Sequence, residues 1–213
     1  MLSLPHTAAL GGAGTFVVPP FSSSPHVISI SAAELKAGRP LPDTARRAAG
    51  LLNELGFVAF TTESAESGLV PKRLVERAAA AAATELDDML ARVAAVGIEP
   101  SDDSFSFAEV VHRSRRRYDL RLDLRRTPPT APWEALGHAA AAWSTPVLAA
   151  AGIDEPEPAV HGLITSLPGA ANQRFHSDGA RGSYNVIVPL VDTAEARTGT
   201  EFWPRSHEDA SAA

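Results

Sequence analysis

Cysteine is absent from the 213-residue chain. Its absence excludes a disulfide framework, a thiolate zinc site and a cysteine nucleophile, and it agrees with a reducing, intracellular setting. An excess of basic charge is also missing. The net charge is −6, so no broad basic face is available for nucleic acid. The densest basic run, Arg113 with Arg115, Arg116 and Arg117, is interrupted by Tyr118 and Asp119 and reads as part of an element. No apolar run approaches the length of about 20 residues that a membrane-spanning helix needs. The alanine tract Ala78–Ala83 is too short and too weakly apolar to insert. A Gly-x-Ser-x-Gly elbow is lacking, which argues against a serine hydrolase. The opening residues contain no Lys or Arg and are broken by Pro5 and His6, so a signal peptide is not expected. Gly-Gly, Pro-Pro and a Ser run mark residues 1–30 as a mobile N-terminal segment. Its lack of acidic residues leaves organelle targeting open as an alternative.

What is present is ordinary globular composition, with 21% charged and 45% hydrophobic residues, enough for one domain over residues 31–213. Ser31 and Glu34 have the spacing of a capping box ahead of a short helix that Gly38 ends. Asp43 or Thr44 is placed to cap a second helix with Ala45, Ala48, Leu51, Leu52 and Leu55 on its apolar side and Gly56 as its stop. Phe57–Phe60 reads as a buried strand. Pro71 opens a long helix to about Val96, with a stripe of Leu74, Ala78, Ala81, Leu86, Leu90 and Val93. From Arg117 to Arg125 the pattern has period two: Tyr118, Leu120, Leu122 and Leu124 on one face, charges on the other, hence a strand. A third long helix is expected from Trp133 to about Ala151, interrupted or kinked near Pro146. After Gly152 short β-type runs dominate. Helices first and strands last predict an α+β domain.

The stretch Asn172–Gly179, "NQRFHSDG", carries the chemistry. On a strand, His176 and Asp178 project from one face, about 6.5–7 Å apart along the chain. An imidazole nitrogen and a carboxylate oxygen then converge on one ion at bonds of about 2.1 Å. One carboxylate and two histidines form the facial triad of non-heme Fe(II) oxygenases. A surface pair or a plain His–Asp hydrogen bond explains the same tripeptide.

The surroundings favour metal. "QRFHSDG" matches the Gln-x-x-His-x-Asp-Gly segment of the phytanoyl-CoA dioxygenase family, "YNVIVPLVD" (Tyr184–Asp192) resembles the strand after it, and "GTEFWPRSH" (Gly199–His207) resembles the next block with its Pro-Gly-Ser-His turn. "ELGFVAF" is similar to the helix–Gly–strand with which these enzymes often begin. The resemblance implies a double-stranded β-helix, a cupin-like jelly roll, with N-terminal helices packed on one sheet. It implies an Fe(II)/2-oxoglutarate-dependent dioxygenase that uses O2 and hydroxylates a small or lipid-like organic substrate. His176 and Asp178 are the implied metal ligands. Gln173, Asn185 and Arg121 are the implied co-substrate contacts. Each of these three has a simpler explanation: a solvent-facing Gln173, a backbone partner for Asn185, and a cross-strand charge ladder of Arg121 with Asp119 and Asp123. Phe202 and Trp203 are either a substrate wall or core packing.

Two departures stand out. Arg205 occupies the position where the turn usually has Gly, and Arg does not take φ > 0 freely. The family's distal histidine ligand and its 2-oxoglutarate-binding arginine come tens of residues after the turn, whereas His207 is followed by six residues. The expectation is therefore a domain lacking its closing strands and carrying two metal ligands rather than three. His207, on the turn, and His161, on the preceding strand region, are the candidate substitutes, and a structural or surface role is the simpler explanation of each. The rival readings are an inactive, truncated relative acting as a binding module, or a non-oxidative cupin-like metal protein.

Overall fold

The computed structural model describes residues 26–62, 68–99, 106–107, 110–122, 132–153, 161–176, 178, 182–191 and 199–208, with the backbone alone for residues 107, 110–113, 121, 122 and 161. It combines helices with two small sheets.

Strand β1 (Val27–Ile30) pairs in parallel with β2 (Ala59–Thr62), from Val27 opposite Ala59 to Ile30 opposite Thr62. Parallel strands need a crossover, and helices α1 (Ala32–Ala37) and α2 (Pro42–Leu55) supply it. Val27, Ile28 and Ile30 are buried, so the folded part begins inside the segment expected to be mobile. Residues 1–25 of that segment lie outside the described residues.

The capping box forms as its spacing requires. The Glu34 N–H donates to the Ser31 hydroxyl, and the Glu34 carboxylate accepts from the Ser31 N–H at 2.9 Å. The same carboxylate accepts from the Leu41 N–H at 3.0 Å, joining α1 to the start of α2. Leu41, rather than Asp43 or Thr44, is the N-cap of α2. Pro42 opens the helix, where its missing N–H costs nothing, and Thr44 turns its hydroxyl to Glu34 instead. Gly56 ends α2 at φ 85°. The strand then starts later than Phe57, because the ladder opens with the Ala59 N–H donating to His26 O.

Helix α3 (Lys72–Ala95) buries Ala78, Ala82, Leu86, Met89 and Val93. Its upper half packs on Tyr118 and Leu120, and burial pushes the Tyr118 phenol up. Those two residues belong to β5 (Arg117–Leu122), within an antiparallel sheet of order β3 (Ser106–Phe107), β4 (Val110–Ser114), β5, β6 (His161–Ser166). The alternation of β5 thus places its apolar face on α3. The expected continuation to Arg125 lies outside the described residues.

Helix α4 (Pro132–Ala150) runs through Pro146 without ending. Trp133 fills the space that Ala78 and Ala82 leave. Trp143 joins Ile28, Ile30, Ala48, Ala49 and Val147, and its indole N–H donates to Leu69 O at 2.9 Å. Among the described residues neither sheet closes, and residues 183–189, expected as a strand, carry no regular secondary structure. No described helix is long and apolar enough to cross a membrane.

Candidate metal site

The site is reached from β6. After Ser166 the chain leaves the sheet and passes beneath the β4–β5 turn. Arg116, in the left-handed region at φ 62°, accepts through its carbonyl from the Leu167 N–H. Its guanidinium donates to Pro168 O, and that of Arg117 donates to Ala171 O at 3.1 Å. Gly169 fits the left-handed turn of this stretch, at φ 85°, which an L side chain rarely adopts. The basic run singled out in the sequence is therefore a pair of clamps on the chain that leads to Gln173 and His176.

Residues 171–176 are in no sheet, and Asp178 lies at a bend. The expectation of two side chains on one face of a strand is corrected here. Among the described residues no strand pairs with this segment, so no ladder holds it in a regular pleat. The bend nevertheless brings the two groups together. His176 Nε2 lies 2.9 Å from Asp178 Oδ1, with both side chains about half exposed.

Hydrogen-bond accounting gives this contact its meaning. His176 Nδ1 lies 2.7 Å from Arg174 O. A carbonyl oxygen only accepts, so Nδ1 carries a proton and donates. In the neutral ring Nε2 is then a lone-pair acceptor, and it faces a carboxylate that is also an acceptor. Two acceptors at this distance repel unless a cation is shared between them. A proton on Nε2 meets that need as an exposed ion pair, worth about 0–1 kcal/mol. A divalent metal meets it as well. Two ligand atoms at a right angle on bonds of about 2.1 Å stand about 3.0 Å apart, against the observed 2.9 Å. The Nδ1–H to carbonyl bond is also the usual way a ligating histidine is oriented. The donor set thus fits two adjacent positions on a hard or borderline cation.

The other expected residues fall as follows. Asn185 Nδ2 donates to Asp178 O at 3.4 Å, a long bond to the backbone of the candidate ligand itself. Gln173 is exposed, three residues before His176. Arg121 pairs through its backbone with Gly162, but a pocket role rests on its side chain, which lies outside the described residues. His161, at the start of β6, is in the same position. His207 does not approach the pair: its Nε2 is 3.1 Å from Asn53 O at the end of α2. Among the described residues no group of three His, Cys, Asp or Glu side chains converges on one point.

The block Gly199–His207 docks on α2, which its sequence did not suggest. Phe202 stacks on Phe57 with ring centroids 4.8 Å apart, and Trp203 meets Phe175 edge-on at 5.5 Å. Arg205 takes φ 68°, so the turn forms without glycine. Its N–H donates to Leu55 O at 2.8 Å and its guanidinium to Glu54 at 3.2 Å, contacts that offset the strain of a left-handed Arg. No family model, curated protein or solved structure matches the chain.

Proposed function

We propose that the protein is an Fe(II)/2-oxoglutarate-dependent dioxygenase of the phytanoyl-CoA dioxygenase type, hydroxylating a small or lipid-like organic substrate, with His176 and Asp178 as two of its metal ligands. The resemblance of "QRFHSDG", "YNVIVPLVD" and "GTEFWPRSH" supports the class. The observation that carries the site is the His176 Nε2–Asp178 Oδ1 approach of 2.9 Å, with Nδ1 already committed to Arg174 O.

The iron, when bound with 2-oxoglutarate and O2, supplies the oxidative chemistry. The chain's own residues supply geometry. The Nδ1 contact with Arg174 O fixes the tautomer of His176 and leaves Nε2 facing Asp178 Oδ1. Asp178 contributes negative charge next to it, and Asn185 restrains the Asp178 backbone. Arg116 and Arg117 hold the approach at Pro168 and Ala171. Gln173 is available to contact co-substrate from the same segment.

The test is succinate formation from 2-oxoglutarate with Fe(II) and O2, without added substrate, by the wild-type chain and by His176→Ala and Asp178→Ala. Iron-dependent succinate that both substitutions abolish is the expected result. A second reading is a metal protein without oxidative turnover, or a binding module. It draws on the lack of a third converging ligand among the described residues. Metal retained through His176 with no succinate formed favours that second reading over the first.

A further inference from the structure

We infer that Trp203 is a positioning residue for the His176–Asp178 pair, held by a strap of residues 202–208 that docks on the carboxyl end of α2. This rests on the metal reading above. The segment bearing His176 has no strand ladder to fix it, so its placement depends on side-chain contacts. Upstream, Arg117 holds Ala171 O. Next to the ligand itself the contact is Phe175 against Trp203, with an interplanar angle of 67°. Both rings are largely exposed, Phe175 at 57% and Trp203 at 64%, so burial in the core does not explain their meeting.

The strap explains it. Trp203 is pinned on both sides. Before it, Phe202 stacks on Phe57. After it, Ser206 donates to Trp203 O through both its N–H, at 3.2 Å, and its hydroxyl, at 2.8 Å. Arg205 and His207 then tie the turn to Leu55 O, Glu54 and Asn53 O. These partners are the carbonyls that a helix end leaves without intrahelical donors, together with a carboxylate. Cationic and N–H groups are favoured at that end. Gly56 makes room, since a Cβ there would lie 2.5 Å from His207 Nδ1. Helix α2 is in turn anchored in the core by Ala45, Ala48 and Ala49. A rigid helix therefore holds Trp203, Trp203 braces Phe175, and Phe175 is bonded to His176.

Trp203 also reports on the site. Trp133 and Trp143 are buried, at 4% and 5% exposure, so the quencher-accessible tryptophan emission belongs to Trp203. The experiment is a Co(II) titration of the full chain, followed by ligand-field absorption and by iodide-accessible fluorescence, for wild type, His176→Ala, Trp203→Ala and Trp203→Phe. The expected result is Co(II) quenching of the accessible emission in wild type, lost in His176→Ala. Trp203→Ala is expected to weaken Co(II) binding about fivefold, the scale of one aromatic pair, and Trp203→Phe to restore most of it. Wild-type affinity in Trp203→Ala, or accessible emission unmoved at saturating Co(II), overturns the inference alone. No His176-dependent Co(II) binding in wild type overturns the metal reading and this inference with it. If Trp203→Ala loses its helical circular dichroism, Phe175→Leu is read in its place. That change keeps the strap and removes the ring contact, so the same fivefold loss supports the inference and wild-type affinity overturns it.

Discussion

Glu34 shows how a single carboxyl can be both buried and ionised. It is 3% exposed. Burial pushes its pKa up, but hydrogen bonds from the Thr44 and Ser31 hydroxyls and from the Ser31 and Leu41 N–H groups outweigh that, and it falls from 4.5 to about 2. A depressed carboxylate contributes stability that is complete above its unfolded value and is lost as pH falls through the folded one. The expected window of loss is therefore from near pH 4.5 down to about 2. Its full size is about 3 kcal/mol by the linkage relation. Glu34→Gln should lower stability at neutral pH by about 2 kcal/mol and flatten that acid limb, as read from urea unfolding at stepped pH. Gly56 is the second residue whose identity the structure requires. Ala there meets both φ 85° and the His207 ring. Gly56→Ala should cost about 1–3 kcal/mol in chemical denaturation, more than a left-handed position alone.

At the scale of elements, the alanine content of α3 is a packing device as well as a helix propensity. Ala78 and Ala82 are buried against Trp133 of α4. A larger side chain has nowhere to go in that contact. Ala82→Leu is expected to destabilise by about 1–3 kcal/mol through overpacking, although leucine is nearly as good a helix former as alanine. Ala83→Leu, one residue away and exposed, should stay within about 0.5 kcal/mol of wild type. Equal effects at the two positions, measured by thermal unfolding, would contradict the packing argument.

For the whole molecule, the metal site proposed above would make binding and stability one measurement. A ligand that binds only the folded chain stabilises it by about 2.7 kcal/mol at one hundred times its dissociation constant. Saturating Co(II) should therefore raise the melting temperature of the wild-type chain. His176→Ala and Asp178→Ala should abolish that rise while leaving the metal-free melting temperature nearly unchanged, because both side chains are about half exposed. A rise that survives both substitutions would place the metal elsewhere.

Much of the local structure was legible before folding. The Ser31–Glu34 box, the Gly38 and Gly56 stops, the three long helices and the period-two strand at Tyr118 and Leu120 all depend on neighbours a few residues apart, which sequence spacing displays directly. The residue types of the candidate site were legible for the same reason, since His176 and Asp178 lie two apart. Their geometry was not. Whether that spacing becomes one face of a strand or a bend depends on a pairing partner, and pairing is a long-range event. Tertiary structure alone brought Arg116 and Arg117 onto Pro168 and Ala171, and placed the Arg205 turn on Glu54 across 151 residues of sequence. Local periodicity carries no information about such contacts. They arise because unpaired carbonyls at the end of α2, and the open space above Gly56, offer donors and rings from a distant segment a place to dock.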